Sequence, residues 1–293
     1  MTASKGGAIG RVVLADNLAV LRELPDAAVD LIYVDPPFNT GRARTLERLK
    51  TTRDDGGDRV GFQGHRYRTL RLGRSRYVDV YDDYLAFIEP RVVEFRRVLR
   101  PHGSLYFHID FREAHYCKVL LDLVFGRDCF LNEIIWAYDF GGRASRRWPT
   151  KHDTILVYVK DRKRYFFDAG AVERIPYMAP GLVGPEKAAR GKLPTDTWWQ
   201  TIVPTGGKER TGYPTQKPLG ILRRIVQASS PADGLVADFF AGSGTTGAAC
   251  IELGRHFLLV DDNPEAFTVM RRRFVDAEGV EYDDRRSGPR SSP

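Results

Sequence analysis

Between residues 30 and 41 the chain reads Asp-Leu-Ile-Tyr-Val-Asp-Pro-Pro-Phe-Asn-Thr-Gly, and this stretch constrains the fold more than any other. Leu31 to Val34 is short and rich in β-formers, so it reads as a buried strand. Pro36 and Pro37 end it, because neither has a backbone N–H to continue a ladder and each fixes its own φ. Such a stiff exit holds the Asp35 carboxylate, the Pro36 carbonyl and the Phe38 ring in one arrangement. The carboxylate and carbonyl offer only hydrogen-bond acceptors. The ring offers a flat apolar face. Together they suit a planar group with an exocyclic NH2: two acceptors for two N–H bonds, and a ring to stack on. On this stretch alone the plainer alternative, a strand closed by a proline turn, stays open.

The rest of the composition narrows the class. At 293 residues the chain makes one large domain or a domain with a small appendage. No apolar run approaches the ~20 residues that span a bilayer. The N-terminus lacks the apolar core of a signal peptide, so a cytoplasmic protein is expected. Three scattered cysteines read as reduced thiols, and the six histidines form no metal-ligand motif, so no metal is expected. Residues 41–76 hold eleven Lys/Arg against four Asp/Glu, which accounts for the whole net charge of +7. A basic segment next to the proposed site points to a polyanion. A solvated arginine-rich loop without a partner is the alternative.

The periodicity predicts a βαβ opening: a strand over 11–15, a helix over 18–24 and the strand into Asp35, which implies a parallel sheet. Residues 39–76 lack periodicity and carry scattered glycines, and read as a long mobile basic loop. A helix is expected over 82–99 with an interruption at Pro90, a turn at 101–103, a strand over 104–109 and a helix over 113–125. Strands over 131–137 and 153–159 flank a basic glycine-rich tip, Gly141 to Trp148. Residues 160–197 form a weakly periodic appendage. A helix over 219–228, a strand over 235–239, a helix over 245–253, a strand over 256–260 and a helix over 264–274 follow. Residues 1–8 and 277–293 read as disordered tails around a 9–276 domain.

A second constellation lies at Val236 to Thr246, where a strand runs through Asp238, Phe240, Ala241, Gly242, Ser243 and Gly244 into a helix at Thr245. The glycines permit a sharp turn and close approach of a ligand. The helix N-terminus offers free N–H groups and a positive dipole end for a carboxylate or phosphate. The pattern is neither a P-loop nor the dinucleotide fingerprint. The next strand ends in Asp261, an acid suited to ribose hydroxyls, with a helix cap as its alternative. S-adenosylmethionine and a nucleotide both fit such a site.

With DPPFNTG, LRPHGSLYFHID, NEIIW, KHDTILVYVK, PTQKP and DFFAGSGTT in this order, the chain resembles the amino-methyltransferases of DNA. The match is to the circularly permuted, beta-class group, in which the catalytic motif precedes the cofactor glycine loop. It also looks like a shortened modification subunit of type III restriction systems. The resemblance implies an α/β S-adenosylmethionine-dependent methyltransferase fold, a mostly parallel, doubly wound sheet with a small target-recognition insertion at 160–197. It implies Asp35, Pro36, Pro37 and Phe38 as catalytic residues. Asp238, Phe240, Ala241, Gly242, Ser243, Gly244 and Thr245, with Thr215 and Lys217, would surround the methionine end of S-adenosylmethionine, and Asp261 would take the ribose. Asp16 would bind the adenine amine, or simply cap the helix that follows. Tyr213 departs from the family, which often has His there.

The expected reaction is methyl transfer to N6 of a flipped-out adenine in double-stranded DNA. Arg42, Arg44, Arg143, Arg146 and Arg147 would track phosphates. The resemblance leaves room for a homodimer and a cognate restriction endonuclease. The alternatives are N4-cytosine methylation, methylation of RNA or protein glutamine, and a catalytically silent DNA-binding protein. Trp198 and Trp199 read as core rather than as base-stacking residues.

Overall fold

The computed structural model describes residues 9–38, 42–53, 59–60, 66–79, 83–141 and 143–286, with the backbone alone over 42–79. The expected tail 1–8 and the end of the second tail, 287–293, lie outside the described residues. The chain divides into two compact units, 37–84 and the remainder.

The larger unit is built on a nine-stranded sheet. In chain order its elements are β1 (Gly10–Leu14), α1 (Asn17–Glu23) and β2 (Val29–Val34). After the smaller unit, with strands β3 (Arg42–Arg53), β4 (Arg59–Val60) and β5 (Arg66–Asp79), come α2 (Tyr84–Val98), β6 (Leu99–Ile109), α3 (Ala114–Phe125), β7 (Phe130–Ala137) and β8 (His152–Val159). The appendage contributes α4 (Pro185–Arg190) and β9 (Thr197–Trp199). The last third supplies α5 (Leu219–Ser229), β10 (Leu235–Asp238), α6 (Thr245–Leu253), β11 (His256–Asp261), α7 (Pro264–Arg273) and β12 (Val280–Asp284).

The strand order is β12-β1-β11-β10-β2-β6-β8-β7-β9. Strands β12, β1, β11, β10, β2 and β6 run parallel, and β8 is antiparallel to both β6 and β7. The sheet is therefore mostly parallel, as expected from the βαβ opening. Its centre is fully buried, as the apolar runs require: every residue of β2 is buried. Apolar side chains of α5, α6 and α7, such as Ile221, Cys250 and Met270, pack on the face that carries Leu31, Tyr33 and Tyr106. On the other face Phe95 of α2 stacks on Phe239, and Asn17 of α1 donates to the Phe239 carbonyl at 2.6 Å.

Strand β10 leads through α6 to β11 on one side, whereas β2 leads toward β6 on the other. The order thus reverses between β10 and β2. In an open α/β sheet the crevice outside the carboxyl ends of the strands at such a reversal takes the ligand. At the opposite end, buried Asp30 ties three strands together. It accepts from His102 Nε2 at 2.6 Å and Arg100 at 3.1 Å in β6, and from the Leu235 N–H at 2.7 Å in β10.

Several expectations are corrected. The segment 39–76, expected as a loop, carries β3, β5 and β4, and β3 pairs with β5 in an antiparallel ladder over Arg42–Arg53. Residues 39–41, 54–58, 61–65 and 80–82 lie outside the described residues. Part of the expected second tail forms β12, a parallel edge strand on β1. Helix α2 continues through Pro90, which removes one helix bond without ending the helix. The turn expected at 101–103 is instead an irregularity within β6, where pairing with β2 moves from Leu99 on Val29 to Ser104 on Leu31. Trp198 is buried as expected, whereas Trp199 is exposed.

Candidate active site

The side chains at the carboxyl ends of β2, β10 and β11 converge on one acidic cluster. Asp35 follows the last residue of β2, Asp238 ends β10 and Asp261 ends β11. Asp238 is buried. Thr246 donates to its Oδ2 at 2.6 Å and the Phe240 N–H to its Oδ1 at 3.0 Å. Burial pushes its carboxyl up to about 7; these two bonds pull it down, and the charges of Asp35 and Asp261 raise it further. Asp261 accepts from the Gly242 N–H at 2.7 Å and the Asn263 N–H at 2.9 Å, and burial raises it to about 6. Three carboxylates at neighbouring strand ends, two of them acting on buried Asp238, favour a cationic ligand.

Between Asp238 and Asp261 runs the glycine turn. Gly242 and Gly244 have φ of +50° and +73°. A Cβ on Gly244 would come within 2.8 Å of Met270 and Phe274, so only glycine fits. The Tyr213 ring packs on Gly242, and its hydroxyl accepts from Asn263 at 3.3 Å. Half-buried Arg273 donates to the Ser243 carbonyl at 3.1 Å and to Thr245 Oγ1 at 3.0 Å; desolvation lowers its guanidinium to about 10, against the pull of Glu209 and Glu252. The turn, the first N–H groups of α6 and Arg273 thus make a positive wall beside the acidic one. A ligand with a carboxylate, a positive centre and hydroxyls matches both walls.

The loop before α5 closes the cluster. Lys217 is buried, and its Nζ donates to Asp35 Oδ2. The Lys217 carbonyl accepts from Thr245 Oγ1 at 3.1 Å, which fixes the loop to the start of α6. Asp35 Oδ1 is buried and has no hydrogen-bond partner among the described residues. Thr215 is exposed, with a φ of +57° that a β-branched residue seldom adopts. Gln216 braces the loop, accepting from Thr211 and donating to the Glu209 carbonyl at 2.7 Å.

Asp16 stands two strands from β10, at the carboxyl end of β1. Its Oδ1 caps α1 by accepting from the Ala19 N–H at 3.1 Å, and its Oδ2 pairs with Arg91 at 3.2 Å. The capping alternative is therefore realised. Pro36 ends the first section of the larger unit, and Pro37 and Phe38 belong to the smaller one. Arg42 and Arg44 lie on β3 of the smaller unit, in register with Asp79 and Tyr77. Arg143, Arg146 and Arg147 are exposed beside Trp148, which is 93% exposed. Their loop joins β7 to β8 at the same edge of the sheet as Asp35, because β7 runs with β6 and β2.

The sequence reading missed a polar row behind Asp35. The Tyr33 hydroxyl and His108 Nδ1 lie 2.8 Å apart, and His108 Nε2 lies 3.2 Å from Asp153 Oδ2. Tyr138 donates to the other Asp153 oxygen at 3.2 Å. Burial works against the Asp153 carboxylate, but the bond and charge of His108, then Lys217 and Tyr138, hold it below its usual range. An ionised Asp153 only accepts, so His108 Nε2 carries a proton. Burial and the Asp35 charge raise the Tyr33 hydroxyl well above its usual range. Strand alternation was the available signal: Tyr33 and Asp35 share a face, as do Tyr106 and His108. Among the described residues no cluster of three or more His, Cys, Asp or Glu is placed to hold a metal ion. No helix among them is long and apolar enough to cross a membrane.

A family model described as DNA methylase matches residues 29–272. The DNA adenine methyltransferase YhdJ of Escherichia coli K12 is 30% identical over 270 residues, 89% of this chain and 81% of the relative. The Type II methyltransferase M.HpaI of Haemophilus parainfluenzae is 28% identical, over 93% of this chain and 76% of its own length. Among solved structures, the M1.HpyAVI–SAM complex superposes with a TM-score of 0.58 at 19% identity, covering 90% of this chain and 98% of that one. The cytosine-N4-specific PvuII DNA methyltransferase gives 0.60 at 15% identity, covering 94% and 92%. Both likenesses concern the fold.

The raised Asp238 carboxyl has a consequence for stability. In the unfolded chain the group ionises near 3.9; in the fold it keeps its proton until about 7. The folded state thus binds more protons in that window, and stability falls as pH rises through it. Asp238→Asn should remove this loss. Urea denaturation at pH 5 and pH 8 should show wild type losing a few kcal/mol more than the variant, of order ~2–3.

Proposed function

The chain belongs to the N6/N4 DNA methylase family and is a DNA methyltransferase that uses S-adenosylmethionine, and from that premise we propose that its target is the exocyclic N6 of adenine. The observation that carries the reading is Asp35 at the strand reversal, with one acceptor oxygen lacking a partner among the described residues. The likeness to a DNA adenine methyltransferase supports adenine over cytosine.

The residues present fit the cofactor. The positive wall of Arg273, the glycine turn and the α6 N-terminus suits its carboxylate; Asp261 suits its ribose; Asp35 and Asp238 suit the sulfonium. When bound, S-adenosylmethionine supplies an electrophilic methyl group. The amine of adenine is a poor nucleophile because its lone pair is delocalised into the ring. Asp35 and the Pro36 carbonyl accept its two N–H bonds, which favours a pyramidal nitrogen with its lone pair toward the methyl carbon. That lone pair would take the methyl of the cofactor held by these residues, the carbon–sulfur bonding pair staying on sulfur, and the Asp35 carboxylate would take the amine proton. The stacking role of Phe38 rests on the sequence, three positions after Asp35. The target base must leave the duplex to reach these groups.

Exposed Arg143, Arg146 and Arg147 hold phosphates, with Trp148 beside them to meet the opened duplex. Residues 160–197 read the sequence. The likeness to M.HpaI supports a place opposite a restriction endonuclease of the same specificity. The protein works in the cytoplasm, where its substrate lies. Helix α3 exposes Tyr116, Val119 and Leu123 in one stripe at i, i+3 and i+7, which supports a homodimer.

Three measurements test this reading. Incubation with unmodified genomic DNA and labelled cofactor, followed by nucleoside mass spectrometry, should yield N6-methyladenine confined to one short sequence; N4-methylcytosine would overturn the choice of base. Asp35→Ala should keep cofactor affinity and lose transfer by ~100-fold or more, and normal turnover would sink the mechanism. Light scattering at micromolar concentration should find a dimer, and a monomer for Leu123→Arg; an unchanged mass in the variant would exclude α3 as the interface.

A further inference from the structure

We propose that Lys217 exchanges partners during the catalytic cycle: its ammonium occupies Asp35 until the cofactor's carboxylate draws it off, so that Asp35 gains its full acceptor strength toward the target amine only once the cofactor is in place. The inference rests on the site assignment above and adds an order of events to it.

The argument starts from the two oxygens of Asp35. Oδ2 takes the Lys217 ammonium, while Oδ1 is buried with no partner among the described residues. A buried carboxylate oxygen without a donor is costly, so this pairing does not satisfy the group. While Lys217 holds Oδ2 its ammonium neutralises the carboxylate, which is then a weaker acceptor for the amine at Oδ1. Asp35 gains its full acceptor strength toward the amine when Lys217 leaves.

The loop geometry says where it goes. The Lys217 backbone is fixed by the bond from Thr245 Oγ1 to its carbonyl, and Arg273 braces the same Thr245 hydroxyl. The residue stands at the start of α6, beside the turn whose N–H groups suit a carboxylate. A lysine has a flexible four-carbon stem and a compact charge, so its head can swing while its backbone stays fixed. The local charges favour the exchange. Asp153 is held ionised in part by Lys217, and Asp35 raises the carboxyl of Asp238. Lys217 thus balances two carboxylates at once, Asp35 and Asp153. A ligand that brings a positive sulfur and a carboxylate replaces that balance and offers the ammonium a new partner.

A fixed role, in which Lys217 anchors Asp35 throughout, makes the opposite prediction for cofactor affinity. S-adenosylhomocysteine is the suitable probe, because it keeps the carboxylate but has a neutral sulfur, so loss of the Asp35 charge does not act on it directly. Titration calorimetry on wild type, Asp35→Asn, Lys217→Met and the double variant forms a cycle. If Lys217 exchanges partners, Asp35→Asn binds about tenfold more tightly than wild type, since the ammonium is already released. Lys217→Met binds about tenfold more weakly, and Asp35→Asn adds nothing to it. Equal or weaker binding by Asp35→Asn, or a gain that persists in the double variant, overturns the exchange. Wild type that binds no S-adenosylhomocysteine overturns the site assignment itself. Thermal unfolding of each variant checks the fold, and Asp35→Ser serves in the same cycle if Asp35→Asn fails to unfold cooperatively.

Discussion

The constraint on which the structure turns is electrostatic: Asp35, Asp238 and Asp261 stand at the carboxyl ends of β2, β10 and β11, and buried Asp238 feels the charge of both others. Burying like charges together opposes folding, and the protein answers with specific donors. Asp261 has two backbone N–H groups, Asp238 has Thr246 and the Phe240 N–H, and Asp35 has Lys217. The compensation stops short at Asp238, whose carboxyl remains raised, and at Asp35 Oδ1. Those shortfalls mark where a positive ligand and an N–H donor are to be received. The same groups that cost stability create the affinity for a sulfonium and an amine.

The sheet makes this cluster from distant parts of the chain. Strands β2 and β10 are neighbours, with Leu31 beside Val236, although most of the sequence separates them. Lys217 reaches Asp35 across the place where the strand order reverses, between β10 and β2, and the Gly242 N–H reaches Asp261 because β10 and β11 are parallel neighbours. Asp30, at the other end of the same strands, holds β2, β6 and β10 together and so keeps the reversal in register. The acidic edge is fixed by backbone and buried carboxylate bonds, whereas the lysine that serves it sits on a loop. The firm and the adaptable parts are thus separate.

Much of this was legible in the residues. Apolar runs such as Leu31 to Val34 and Phe257 to Val260 fix buried strands, because only a parallel sheet covered on both faces accepts them. The glycine turn was legible because its residues have few other uses. The β3–β5 ladder was not, because its strands alternate arginine with threonine and leucine and present no apolar face to read. Strand β12 was missed for a related reason: Val-Glu-Tyr-Asp-Asp is a charged edge that pairs on one side only. Partnerships across the fold were the least legible. Nothing near His108 in sequence announces Tyr33 and Asp153, and nothing near Lys217 announces Asp35. For Asp16 the local reading, a helix cap, matches the bond that its Oδ1 makes.

The most direct test of the account is an atomic structure of the enzyme with S-adenosylhomocysteine bound. The account predicts the ligand outside the carboxyl ends of β10 and β11, its ribose on Asp261, its carboxylate at the start of α6 within reach of the Lys217 ammonium, and both oxygens of Asp35 open toward the site. A ligand elsewhere on the sheet, or a Lys217 still bonded to Asp35 beside a fully bound ligand, would contradict it.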